Sequence, residues 1–308
     1  MGSSKLVVEF VVLAYLLAFL VDFVFYAYGL TFSFPMTTTS ITTALWGFTR
    51  MWSVAFAVFI CLILRGVSVK SWLRGKLGFK RNTIKYYFTA PLIPYFALGV
   101  YVAIAYPLGL FDFKAYVEVI KEYLTSAGSI QGFSVEELAW IIAIVQVFQA
   151  YIAAVTINAL AALGEEIGWR GYLFELLGGR PSPETTAVIG VLWGLWHASA
   201  ILLMGYNYTY NRALGALLFV AFATAVTCPH LYITKKTGSL WPASSLHGGV
   251  NALRGLTEIA TRLPLEQREI LLGLGAMGIL TWTITTLTIL SASKQLENKD
   301  SIRRDPYS

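Results

Sequence analysis

Apolar residues run almost unbroken through long stretches of this chain, and charged residues collect in the gaps between them. A helix needs about 20 mostly apolar residues to cross bilayer hydrocarbon, at roughly 1.5 Å of rise per residue. By that measure about eight stretches predict membrane helices. They are Leu6–Leu30, Ala44–Leu64, Phe88–Leu110, a long run from Leu138 to Leu177, Thr185–Met204, Ala213–Thr234, Leu240–Ile259 and Ile270–Ser293. The third, fifth, sixth and eighth contain no Asp, Glu, Lys or Arg. The first is too long for a signal peptide and no A-x-A cleavage pattern follows it, so it is expected to anchor the chain. The run from Leu138 to Leu177 is too long for one perpendicular crossing and fits either one tilted helix or two. No repeat or soluble linker interrupts the pattern. The expected fold is all-α, a polytopic membrane bundle forming one domain over residues 1–308.

Composition sharpens the class. Of the 308 residues, 56% are hydrophobic and only 13% charged, against roughly 25% charged in a soluble domain. The two cysteines, Cys61 and Cys228, lie in apolar runs and form neither a CxxC nor a zinc spacing. The net charge of +6 sits in short connections, so it speaks of topology and excludes a nucleic-acid surface. Arg65, Lys70, Arg74, Lys76, Lys80, Arg81 and Lys85 lie together with no acid among them. The positive-inside rule places that loop in the cytoplasm, where it would also attract anionic lipid. Both termini and the clusters Lys235–Lys236 and Lys294, Lys299, Arg303, Arg304 then fall on the same side. The acid-bearing connections Asp112–Glu137 and Glu258–Glu269 fall outside. A multi-pass cell-membrane protein with cytoplasmic termini is expected.

Ionisable groups inside a bilayer cost on the order of 2.5–3.5 kcal/mol each, so in so apolar a chain they mark candidate sites. The densest is Gly164-Glu165-Glu166-Ile167-Gly168-Trp169-Arg170. On a helix Glu166 and Arg170 stand one turn apart and can pair, while Glu165 is rotated about 100° away. His197 lies within a span, one turn after Trp193. His247 and Asn251, at i and i+4, share a face of a helix thinned by Gly248 and Gly249. Each of these has an ordinary structural explanation: a buried ion pair with a protonated acid, a packed neutral imidazole, or interhelical hydrogen bonding. The third histidine, His230, falls near the end of its span and is expected to be interfacial. Asp22, in the first span, has no assigned role.

Together the groups suit peptide hydrolysis by an activated water. A carboxylate takes a proton from water, an imidazole orients it, and a second imidazole with an amide stabilises the oxyanion. A zinc site of Glu165, His197 and His247 stays open, although no HExxH helix is present and Asn251 better suits an oxyanion donor. Ser244, three residues before His247, is a weaker nucleophile candidate. Neither cysteine has a histidine at one-turn spacing, and GxSxG and P-loop patterns are missing. A proton or ion pathway through the same residues is the rival from another class, but the halves show no internal symmetry.

Glu165-Glu166-x-x-x-Arg170, aromatic-x-x-x-His197 and His247-x-x-x-Asn251, in that order on successive segments, resemble the CAAX protease and bacteriocin-processing (CPBP, or Abi) family. Its best-known members are the Ras-converting CAAX prenyl endopeptidases. The motif-bearing core spans about 138–256, and Trp193 stands where the family usually has Phe. The resemblance implies an intramembrane endopeptidase with a cavity opening to the cytosol. It assigns Glu165 to activating water with His197 assisting, His247 and Asn251 to the oxyanion hole, and Glu166 with Arg170 to a supporting pair. It implies no cofactor in the glutamate-dependent form, with zinc as the alternative. The implied partners are a prenylated or other C-terminal peptide and membrane lipid. The alternative substrate is a non-prenylated peptide.

Overall fold

The computed structural model describes residues 2–32, 40–127, 132 and 134–304, with side chains described as far as residue 292. All regular structure among the described residues is helical. The first helix, α1 (Gly2–Ala27), shows how apolar sequence sorts itself when both surroundings are apolar. Phe10, Ala14, Ala18 and Asp22 recur at one-turn spacing and are wholly buried, whereas Val8, Val12, Leu16, Phe19 and Phe23 are exposed. Small residues face the bundle, where backbones approach closely, and bulky ones face lipid.

The chain continues as α2 (Ile41–Ile63), α3 (Val69–Lys76), α4 (Arg81–Thr89), α5 (Leu92–Ala105), α6 (Phe113–Ala127), α7 (Val135–Ala154) and α8 (Ile157–Glu166). A π-helical segment, Ile167–Leu173, then leads into the short α9 (Phe174–Leu176). After it come α10 (Pro183–Trp196), α11 (Ala198–Met204), α12 (Arg212–Thr237), α13 (Trp241–Ile259), α14 (Leu265–Leu271) and α15 (Ala276–Arg304). Local signals set several starts. Ser134 and Glu137 form a reciprocal capping box on α7, and Ser182 caps α10 with Pro183 in its first turn.

Among the described residues seven helical stretches are long and apolar enough to span a membrane: Ser4–Ala27, Ile41–Ile63, Arg81–Ala105, Val135–Ala154, Pro183–Met204, Arg212–Thr237 and Leu265–Ala292. The eight-span expectation differs in two places. The run Leu138–Leu177 is two helices, because Val155 and Thr156 leave helical geometry (Thr156 φ −128°, ψ −105°) and the Thr156 hydroxyl turns back to the Ile152 carbonyl at 2.6 Å. The predicted Leu240–Ile259 span is the helix α13, but it is too polar to count among the seven. It packs against α5, α7, α8 and α12, and that shielding lets it carry Ser244, Ser245, His247, Asn251 and Arg254.

Pro229 sits inside α12 and cannot donate to the Ala225 carbonyl. The Thr286 hydroxyl of α15 donates to that carbonyl at 2.9 Å instead, as a low-dielectric interior requires.

Charge separates the two ends of the bundle. At one end Arg65 pairs with Glu9 at 2.5 Å, Lys76 pairs with Glu175 at 3.1 Å, and the Trp241 indole donates to the Leu77 carbonyl. The Arg65–Lys85 segment and the last turn of α12, with Lys235 and Lys236, therefore lie together. The side chains of Lys294, Lys299, Arg303 and Arg304 lie outside the described residues. At the other end Asp112 N–H donates to the Ala260 carbonyl, and Arg262 pairs with Asp112 and Glu118. There the Glu269 carboxylate also accepts N–H groups of Thr209, Tyr210 and Asn211, fixing the α11–α12 connection.

Candidate active site

Gly164 begins the site. A Cβ there would come within 2.7 Å of the Met51 carbonyl and Trp52 Cα, so only glycine lets α8 lie directly on the middle of α2. That contact fixes the two glutamates that follow. The π-helical segment begins at once after Glu166, and such widened turns recur at functional sites.

The two carboxylates face different surroundings. Glu166 Oε1 accepts from Arg170 Nη1 at 3.1 Å and from His247 Nδ1 at 2.8 Å. The Arg170 guanidinium stacks over Trp193, 4.1 Å from its centroid, and reaches the Thr227 hydroxyl. Glu165 Oε2 accepts from Trp193 Nε1 at 2.6 Å. The Glu166–Arg170 pair expected from one-turn spacing is present, and Glu165 does not share Arg170 but bonds to Trp193. His247 is an additional partner of Glu166 that one-turn spacing could not reveal.

Carbonyl acceptors fix the imidazole tautomers. His197 Nδ1 lies 2.9 Å from the Trp193 carbonyl, which can only accept, so Nδ1 carries the proton and Nε2 is the free nitrogen. His247 likewise spends Nδ1 on Glu166 and leaves Nε2 free. Glu165, His197, His247 and Asn251 all line one cavity of about 70 Å³, walled also by Trp193, Phe219 and Arg50. Beside it, a groove of about 630 Å³ runs between α6, α7 and the last turns of α13, and shares Asn207, Asn251 and Arg254 with the inner cavity. The groove lies toward the acidic end of the bundle.

Three placements depart from the sequence expectations. His230 is not interfacial: it is fully buried, because the neighbouring α13 and the π-helical segment cover that part of α12. Its Nδ1 donates to the Val226 carbonyl at 2.7 Å, and its Nε2 has no partner, like Glu166 Oε2. Glu166, His230 and His247 each offer a ligand atom, all within 4.8 Å of one another. The geometry thus gathers a different metal-capable set from the anticipated Glu165, His197 and His247. Ser244 donates to the Trp241 carbonyl of its own helix at 2.8 Å and does not line the cavity.

Asp22 acquires an explanation. Its buried carboxylate accepts from Trp46 Nε1 at 2.9 Å, Arg50 Nε at 2.9 Å and Ser199 Oγ at 2.6 Å. Arg50 in turn donates to the Trp196 carbonyl and stacks over that indole at 3.7 Å. This network ties α1 and α2 to the α10–α11 junction, where His197 sits.

Fold and site together define a polytopic helical membrane protein with a glutamate–histidine centre enclosed among its helices. Residues 147–253 match the family Type II CAAX prenyl endopeptidase Rce1-like, and all six motif residues fall inside the match. The CAAX prenyl protease 2 of Methanococcus maripaludis is 34% identical over 62 residues, which are 20% of this chain and 22% of that protein. The matched stretch thus spans about a fifth of that curated relative. The site-bearing part of the chain is thus similar to the Rce1-like endopeptidases, the resemblance the motifs implied.

Proposed function

We propose that the protein is an intramembrane endopeptidase of the CAAX type, cleaving a peptide bond close to the C-terminus of a prenylated substrate. The observation that carries this is the convergence of Glu165, His197, His247 and Asn251 on one small cavity. Glu165 is the general base. Its Trp193 bond leaves a second oxygen for water, and His197 Nε2 accepts the other water hydrogen and aims the nucleophile. Attack on the carbonyl carbon develops an oxyanion, held by the Asn251 amide and by His247 Nε2–H. For His247 to donate there it must be the imidazolium, which the Glu166 carboxylate at Nδ1 stabilises. The C–N bond then breaks, and the proton held by Glu165 passes to the departing amine.

The test is cleavage of a prenylated CAAX reporter by the reconstituted protein. Glu165→Gln and His197→Gln are expected to abolish product, read by mass spectrometry, while helicity and melting are retained. Full activity in either variant overturns the assignment.

The inward-facing atoms of Glu166, His230 and His247 favour a second reading, a zinc-dependent protease. Two imidazoles and a carboxylate are a zinc donor set, and zinc bound there would supply a Lewis acid. Stoichiometric metal in the purified protein, with activity lost on chelation and restored by zinc, would establish it. Activity that survives exhaustive chelation supports the metal-free chemistry.

A further inference from the structure

The junction between the inner cavity and the outer groove is built from groups that the catalytic reading leaves unused. Arg254 follows Asn251 by three residues on α13, so the two side chains project from one face, and both line cavity and groove. Arg254 makes no direct ion pair among the described residues, and the Glu258 carboxylate, one turn further along the groove wall, acts on it through charge without touching it. Its guanidinium lies 5.1 Å from the Tyr206 ring and donates one N–H to Asn207 Oδ1.

Asn207 is itself unusual. It is the one non-glycine residue with positive φ (65°) among the described residues. The Glu269 carboxylate, by gripping the next three backbone N–H groups after Tyr208, holds the loop that imposes this conformation. With Oδ1 turned to Arg254, its Nδ2 is buried without a hydrogen-bond partner. A guanidinium with no acid in direct contact and an amide donor with no acceptor thus share the junction of cavity and groove beside Asn251. An anion with two oxygens would satisfy both donors at once.

Resting on the proposed peptidase function, we infer that Arg254 and Asn207 form a subsite for the free C-terminal carboxylate of the peptide substrate. A chain lying in the groove with its scissile carbonyl at Asn251 runs its short C-terminal fragment along the same helix face toward Arg254. The groove is large enough to hold such a fragment. Selectivity for chain ends over internal bonds follows from this subsite. The pair also explains why Asn207 is held in a conformation that few residues other than Asn and Asp adopt.

The test uses the full-length protein in vesicles and one reporter peptide made as the free acid and as the C-terminal amide. Binding is measured by fluorescence anisotropy on the Glu165→Gln protein, and turnover on the active protein. The acid is expected to bind and to be cleaved roughly ten- to hundredfold better than the amide, as loss of charge-assisted hydrogen bonds implies. Arg254→Met should remove that preference by weakening the acid alone, with Arg254→Lys intermediate. Asn207→Asp keeps a residue that tolerates positive φ but sets a negative charge at the subsite, and should also depress the acid selectively. Equal binding of acid and amide to the Glu165→Gln protein, or an Arg254→Met loss that is the same for both peptides, overturns the subsite. Preferential acid binding without any cleavage by the active protein would leave the subsite standing and overturn the peptidase reading instead.

Discussion

At the scale of single residues, the site is a division of labour between adjacent carboxylates. Glu166 is paired through Oε1 with Arg170 and His247, while Glu165 meets an indole N–H and lines the cavity. Asn251→Ala is expected to lower turnover by about 10²–10³ with little change in melting, the usual cost of one oxyanion donor; unchanged kcat would remove Asn251 from the oxyanion site. The Asp22–Arg50 pair behaves differently. Arg50→Met leaves a buried carboxylate without its cation and should destabilise the protein by about 3–5 kcal/mol, whereas the double change Arg50→Met with Asp22→Leu should recover much of that loss. Thermal unfolding in detergent checks both, and equal melting of the single variant and the parent would refute it. The motif residues were legible because the charged ones stand alone in apolar sequence. Asp22's partner was not, since Arg50 lies on a different helix and pairs through folding alone. His230 was misplaced for the same reason: its position along α12 says nothing of what α13 lays over it.

Among the elements, two helices that hydropathy passes over are heavily enclosed. α8 and α13 carry Glu165, Glu166, His247 and Asn251 and are packed among other helices, so length and hydropathy alone undercount them. The break at Thr156 was equally hidden, because Val155 and Thr156 are unremarkable residues and only packing against α13 reveals the turn. α6 lies outside the spans and is clamped by Arg262, whose guanidinium beside Glu118 holds that carboxyl below its ordinary value. A lowered acid adds stability above its ordinary range and loses it as pH falls through the lowered value. Hydrogen exchange in α6 should therefore accelerate as pH drops below about 4.5, more than in α12. Arg262→Gln should abolish that difference, and an unaltered α6 profile in the variant would disprove the clamp.

For the whole molecule, the segregation of charge makes sidedness measurable. Cysteines introduced at Lys80 and at Glu122 are expected to react with impermeant maleimide from opposite faces of a vesicle, with Lys80 on the cytoplasmic face by the positive-inside bias. Labelling of both from one face would contradict the arrangement of the ends. The bundle and the order of its spans could be read from hydropathy, and the basic end from its lysines and arginines. The direction in which the groove opens could not, because it depends on how α6 and α7 lean on α13.

The size of the inner chamber limits the water it can hold. About 70 Å³ accommodates only a few solvent molecules. A hydrolase of this shape would draw its attacking water from that small stock beside Asn251, and each turnover would consume one molecule of it.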